Sequence, residues 1–162
     1  TEAGEDEPGE LWLRGSVVFG GYWRDPEATA EALDGQGWFH TGDVLTMDSE
    51  GFFRVAGRLK EMFISGGENV YPAEVEASIF EAVPGVAHCA VIGVPDARWG
   101  EVGRAFVQPE PGVQLDPEAI ASALEGRLAR FKRPKQILVR EALPRTASGK
   151  IDKVALRQEL LA

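Results

Sequence analysis

The chain reads as an α+β protein: a small open β-sheet with helices packed on it, preceded by a β-rich stretch. Three observations predict this. VAHCAVIGV at 86–94 is a nearly continuous apolar run, as expected of a buried central strand. Two segments open on a residue followed by proline, Tyr71-Pro72 and Asp116-Pro117, and then space their apolar residues for one helix face. Residues 10–55 contain short apolar segments broken by turn residues, the grammar of β structure.

Taken in order, GELWLRGSVVFGGYW holds a first strand with Leu11, Leu13 and Val17 on mixed faces. Asp25-Pro26 then starts a short helix, with aspartate as N-cap and proline at the first helical position before EATAEAL. GWFHTGDVLTM holds a second strand; Asp48–Gly51 make a turn, and a short alternating strand follows. The grammar changes after Gly57. Met62–Ser65 is a short strand ended by Gly66-Gly67, and a helix runs from Tyr71-Pro72 to about Ala82 with Val75, Ile79 and Val83 on one face. Pro84-Gly85 stops it. The run at 86–94 and residues 102–108 are strands, and Asp116-Pro117 caps a helix predicted to reach about Arg130 along Ile120, Leu124 and Leu128. Ile137–Val139 is a strand and Val154–Leu161 a short terminal helix. The break between the two grammars falls near residue 58, dividing the chain into 1–58 and 59–162.

The chain has 162 residues and a net charge of −9, which argues against a nucleic-acid partner. No apolar run approaches the roughly 18 residues of a membrane span. The single cysteine, Cys89, excludes an internal disulfide and fits a reducing compartment, so a cytoplasmic location is expected. The acidic opening TEAGEDEPGE is unlike a signal peptide, and Thr1 in place of Met suggests a piece of a longer chain. The charge is uneven. Residues 1–50 carry two Lys/Arg against twelve Asp/Glu, whereas residues 127–157 carry ten basic residues against two acidic ones. The basic stretch either faces an anion such as a phosphate or is a solvated surface.

Three stretches hold candidate chemistry. In His40-Thr41-Gly42-Asp43, an exposed carboxylate beside glycine can accept hydrogen bonds from a vicinal diol, or the tetrapeptide is a simple Asx turn. In Ser65-Gly66-Gly67-Glu68-Asn69, two glycines admit a thin ligand or another backbone, or form an ordinary turn; no Walker-type lysine follows. Pro144–Lys150 leads small residues up to one lysine, a mobile point charge suited to phosphate or carboxylate oxygens, or an exposed loop lysine. Upstream, Phe131-Lys132-Arg133-Pro134-Lys135 sets an aromatic among cations. That suits a nucleotide, and equally a cationic cap on a helix end.

The joint order of GWFHTGD, GRLKEMFISGGENVYPAEVE, ARWGE, FKRPK and LPRTASGKIDK closely resembles the C-terminal part of the acyl-CoA synthetases, in the adenylate-forming enzyme superfamily. The resemblance covers essentially the whole chain. It implies that residues 1–58 are the β-rich end of a large N-terminal domain and that 59–162 are a mobile C-terminal lid. Such enzymes, AMP-forming acid–thiol ligases, join a carboxylic acid to ATP as an acyl-adenylate, release pyrophosphate, and pass the acyl group to CoA. The implied cofactors are ATP, Mg2+ and CoA, with the metal ligands in the upstream part and none in this chain. The implied partners are the carboxylic acid, ATP, CoA and the N-terminal domain itself.

Residue by residue, the resemblance makes Asp43 and Arg58 ribose-binding, Lys60 the hinge, and Lys150 the catalytic lysine that meets the carboxylate and the α-phosphate. Gly66 and Gly67 would flank the pantetheine arm, Trp99 would lie beside it, and Phe131, Arg133 and Lys135 would lie near the CoA nucleotide. Many relatives carry aspartate at the hinge position, so Lys60 is a variant. The phosphate loop, the metal-binding glutamate and the acyl pocket of the family are absent from this chain, which is therefore expected to be inactive alone. Competing readings are an adenylation domain that loads a carrier-protein thiol and a non-catalytic lid-like binding module. GGENVYPAEVE and FKRPK favour free CoA.

Overall fold

The computed structural model describes residues 3–160. The chain divides into two compact units, Thr1–Lys60 and Glu61–Ala162.

The first unit is a three-stranded antiparallel sheet in the order β1-β2-β3, built from β1 (Gly9–Leu13), β2 (Phe39–Met47) and β3 (Phe53–Arg58), with helix α1 (Pro26–Ala32) between β1 and β2. Asp25 caps α1 by accepting the Ala28 N–H at 2.9 Å. Asp48 organises the β2–β3 turn, its carboxylate accepting the N–H groups of Glu50 and Phe52, and Gly51 takes the left-handed φ of +84° that the turn requires. The first strand stops at Leu13, and Val17 lies beyond it in an exposed loop. Among the described residues of this unit, Val44 is the one large apolar side chain that is buried, while Trp23, Phe52, Phe53 and Val55 stand open to solvent. A sheet this small holds little apolar surface between its own faces.

In the second unit the strands are β4 (Phe63–Ser65), β5 (Glu68–Val70), β6 (Val86–Asp96), β7 (Gly100–Pro109) and β8 (Gln136–Val139), and the helices are α2 (Pro72–Ala82), α3 (Pro117–Ala123) and α4 (Lys153–Glu159). A 3-10 turn at Leu59–Glu61 precedes them. The sheet runs β5-β4-β7-β6, with β8 parallel to β7 and the other pairs antiparallel. Each face of the sheet carries its own core. Cys89, Val91, Ala105 and Val107 pack with Val75 and Ile79 of α2 and Ile120 of α3. Ala90, Ile92, Val94 and Phe106 turn to the other face, against Leu143 and Leu156 of α4. Burial of both faces explains the unbroken apolar run in β6, since neither parity of the strand meets water.

The structure departs from the sequence expectations at four points in this unit. The run at 86–94 is buried but not central: among the described residues β6 pairs only with β7, and β7 is the middle strand. The outward Val91 N–H is instead taken by the Glu76 carboxylate at 2.7 Å. The third helix ends at Ala123, not near Arg130; Leu124 caps it, and Gly126, at φ +78°, turns the chain. Leu128 stays buried because its N–H still bonds to the Leu124 carbonyl, which keeps the apolar period without the helix. Glu68–Val70 forms a strand, so Gly66-Gly67 is the two-residue loop of a hairpin, with φ of +63° and +91° as a primed turn requires. The terminal helix begins one residue early, at Lys153, and is described to Glu159; Leu161 lies outside the described residues.

Two glycines in mid-strand have a steric reason. Gly93 of β6 faces Gly103 of β7, and Phe63 lies across the pair. A Cβ on Gly93 would sit 2.5 Å from the Phe63 Cβ.

Candidate functional site

In the first unit, strand register places Asp43 directly opposite Arg58. The Arg58 Nε donates to Asp43 Oδ1 at 2.8 Å, and its Nη1 donates to the Thr41 carbonyl at 2.9 Å. The Asp43 carboxylate thus reaches across the sheet and does not form an Asx turn; the local turn bond is Asp43 N–H to Thr41 Oγ1. Glu10 of β1 accepts the Gly42 N–H at 3.0 Å and the Trp12 indole N–H at 2.7 Å, which pins the tetrapeptide from behind. His40 stacks on Trp12 with centroids 4.1 Å apart and lies between Glu10 and Asp34, so it belongs to the support of the motif. Main-chain bonds from Trp38 and Gln36 hold the Asp34 carboxyl below its usual range, outweighing burial. Asp43 and Arg58 keep about a third and over half of their side chains exposed, at 35% and 57%. A half-open carboxylate fixed by a guanidinium is a suitable acceptor for vicinal hydroxyls.

In the second unit, a groove of about 360 Å³ brings together Ser65, Trp99, Phe131, Arg133, Pro134 and Lys135. Gly66 follows Ser65 and packs against the Trp99 wall: its N–H donates to the Trp99 carbonyl at 2.9 Å, and a Cβ there would press on Trp99 Cε3 at 2.9 Å. Only a glycine lets the hairpin approach the indole this closely. Gly67 beside it faces open space, with nothing within 4 Å of where a Cβ would stand.

Asp96 organises the groove wall, and sequence reasoning missed it. Its carboxylate accepts the N–H groups of Arg98 and Trp99 and the Lys135 ammonium, the last at 2.8 Å. The Lys135 hydrogen bond is the main cause, with the two main-chain bonds behind it, that holds the Asp96 carboxyl down to about 2. Lys135 and Arg98 both lie near the Trp99 ring, at 5.9 and 5.0 Å from its centroid. The signal was an aspartate shortly before an exposed aromatic, which any turn would also show. Lys132, in contrast, turns away and pairs with Glu74 of α2 at 2.7 Å, pinning the basic stretch to the helix. With α3 ended at Ala123, none of these cations caps a helix.

Lys150 lies at the tip of a small hairpin rather than in the groove. Arg145 and Ile151 bridge, Thr146 N–H donates to the Lys150 carbonyl, and Asp152 N–H donates to the Pro144 carbonyl. The Lys150 side chain is exposed and makes no ion pair among the described residues. Lys60 is exposed within the 3-10 turn where the two units meet along the chain. Among the described residues no three His, Cys, Asp or Glu side chains gather as metal ligands, and no helix is long and apolar enough to cross a membrane.

An α+β fold with a basic, aromatic-walled groove and a lysine hairpin has a counterpart among known families: residues 74–150 match the AMP-binding enzyme C-terminal domain. Over nearly its whole length the chain is similar to parts of proteins named as acyl-CoA synthetases and CoA ligases. It is 53% identical over 152 residues to a feruloyl-CoA synthase of Amycolatopsis, which covers 94% of this chain and 30% of that protein. It is 45% identical over 158 residues to the long-chain-fatty-acid–CoA ligase FadD13 of Mycobacterium tuberculosis, covering 98% of this chain and 31% of the relative. ATP-bound MatB from Rhodopseudomonas palustris superposes with a TM-score of 0.82 at 40% identity, over 96% of this chain and 31% of that structure. The chain spans about 30% of the length of the curated relatives it matches.

Proposed function

We propose that this chain is the C-terminal part of an AMP-forming acyl-CoA synthetase, with residues 1–58 completing a large N-terminal domain and 59–162 acting as its mobile lid. The observation that carries the reading is the groove in which Trp99, Phe131, Arg133 and Lys135 meet beside the Gly66-Gly67 hairpin. Aromatic faces and cations on one wall suit a purine and phosphates, and Gly67, with open space where a Cβ would stand, leaves room for a thin chain. A carrier protein would present neither a purine nor a nucleotide phosphate to that wall, so free CoA is the better fit. The open apolar faces of the first unit are suited to burial against the rest of a larger domain.

In the first step the acid's carboxylate oxygen attacks the α-phosphorus of ATP, the bond to the bridging oxygen breaks, and pyrophosphate leaves. Asp43 accepts hydrogen bonds from the ribose hydroxyls, held in place by Arg58. Lys150 supplies a positive charge to the α-phosphoryl oxygens and the attacking carboxylate; a cation set where charge gathers favours the transition state over the ground state. Mg2+, when bound, neutralises the phosphate charge, and in this reading its ligands lie outside these residues. In the second step the lid turns about Lys60, Lys150 withdraws, and the glycine hairpin comes beside the pantetheine arm. The CoA thiol gives up its proton to solvent, its sulfur forms the thioester bond at the acyl carbon, and the acyl carbon–oxygen bond breaks as AMP leaves with the bonding pair. The acid is chosen outside these residues, and the cytoplasm is where ATP and CoA meet it.

The test uses the whole enzyme. Lys150→Ala should abolish ATP–pyrophosphate exchange and spare thioester formation from supplied acyl-adenylate. Equal loss of both half-reactions refutes the role given to Lys150.

A further inference from the structure

Lys153 was not expected from the sequence to matter, yet it has the most connected ammonium in the second unit. It stands at the first position of α4, between two carboxylates: Glu76 of α2 at 2.9 Å, and Glu61. The ammonium is largely enclosed, with the Lys153 side chain 24% and that of Glu76 18% exposed. Burial opposes the charge, but the Glu76 charge and the hydrogen bonds to Glu61 and Glu76 overcome it, and its pKa lies above the usual lysine value. Glu76 is itself fixed, since its Oε1 also accepts the Val91 N–H.

The two ends of this network are the informative part. Glu61 is the first residue of the second unit and closes the 3-10 turn that leads into it. Lys153 follows Lys150 by three positions, just past the root of the lysine hairpin, where Asp152 bonds to Pro144 and caps α4 through Ala155 N–H. Leu156, one turn on, is fully buried. The tip that carries Lys150 therefore shares its footing with a residue clamped to the entry of the unit.

We propose that Lys153 is a positioning residue that joins Glu61 and the Lys150 hairpin into one rigid body. The freedom of the connection then lies before Glu61, at Lys60, and any rotation there is delivered to Lys150 without slack. The inference rests on the function proposed above only in giving Lys150 its task. A residue that merely stabilised the fold would lower the melting temperature and leave turnover unchanged in protein that is still folded.

The test has two arms. In the whole enzyme, well below its melting temperature, Lys153→Met should lower the kcat of adenylation by about ten- to a hundredfold, up to the scale on which a misplacement of about 1 Å acts. The KM for ATP should stay within about twofold, and Lys153→Arg should restore most of the rate, because the network needs the charge more than the ammonium shape. Glu61→Gln is the second variant: it leaves the Lys153–Glu76 pair in place to hold the fold, and should lower kcat in the same sense. In the 162-residue chain, hydrogen exchange should quicken together at 61–63 and 150–153 in Lys153→Met. Unchanged kcat in folded Lys153→Met or Glu61→Gln, or quickened exchange confined to 153–159, overturns the proposal. Lys150→Ala run in parallel separates the two readings, since its retention of adenylation would sink the catalytic assignment and leave the exchange result standing.

Discussion

Replacing Gly66 by alanine should disturb the groove in a way that replacing Gly67 does not. Both glycines have positive φ, +63° and +91°, so a Cβ at either costs about 1 kcal/mol from the backbone alone. At Gly67 nothing else is within 4 Å, whereas at Gly66 the new carbon would lie 2.9 Å from Trp99 Cε3. Ordinary carbon contacts begin near 3.5 Å, so the indole must retreat by roughly 0.6 Å. Trp99 is 38% exposed and can move outward, which sets the added cost at the low end of overpacking, about 1 kcal/mol. In a domain of this size about 1 kcal/mol lowers Tm by about 4–8 °C. Gly67→Ala should therefore lower the Tm of the second unit by that amount and Gly66→Ala by about twice as much, followed by far-ultraviolet circular dichroism. In a Trp99→Leu background the excess should vanish, a coupling of about 1 kcal/mol between contacting sites. Equal effects of the two alanines, or an excess that survives loss of the indole, refute the argument. In the whole enzyme the displaced indole should slow the thioester step more than adenylation.

Gly93→Ala drives a Cβ to 2.5 Å from the Cβ and 2.6 Å from the Cγ of Phe63, a side chain only 2% exposed. With no outward escape it should cost about 3 kcal/mol, the upper end of overpacking, and a loss under about 1 kcal/mol in denaturant titration would show that Phe63 is not locked there. Asp96 predicts a pH dependence. Its folded carboxyl is depressed to about 2 from an ordinary 3.8, so its contribution is present above the ordinary value and disappears as pH falls through about 2. Asp96→Asn should melt below the wild type at neutral pH, and the two curves should converge near the acid limit; a gap that persists there assigns the effect to packing.

Local chemistry made much of this architecture legible, and long-range pairing hid the rest. Asp25-Pro26 and Tyr71-Pro72 mark helix starts because proline tolerates that one position, and both helices begin there. The apolar run at 86–94 identified a doubly buried strand, but its place in the sheet depends on β7 and α2, which no local pattern encodes. Leu124 and Leu128 kept helical spacing through turns, so the periodicity carried the expected helix past its end at Ala123. Glu68 and Asn69 are exposed and polar and concealed a strand defined by its partner. The same limit applies to the site. Asp43, Arg58, Trp99 and Lys150 stood in recognisable motifs, whereas Asp96, Lys132 and Lys153 acquire meaning from partners 39, 58 and 92 positions away in the chain.

The Glu76 carboxylate on the outer margin of β6 has a consequence for solubility. An unpaired strand margin is a template onto which another extended chain can add. Here the Val91 N–H is already taken, and its acceptor is anchored by an ammonium. An intruding strand would bring its carbonyl oxygen against a negative charge where it needs the Val91 N–H as donor, and would have to break an ion pair to lie flat. The side chain anchored beside α4 thus also takes one N–H donor of that margin out of reach of a neighbouring copy.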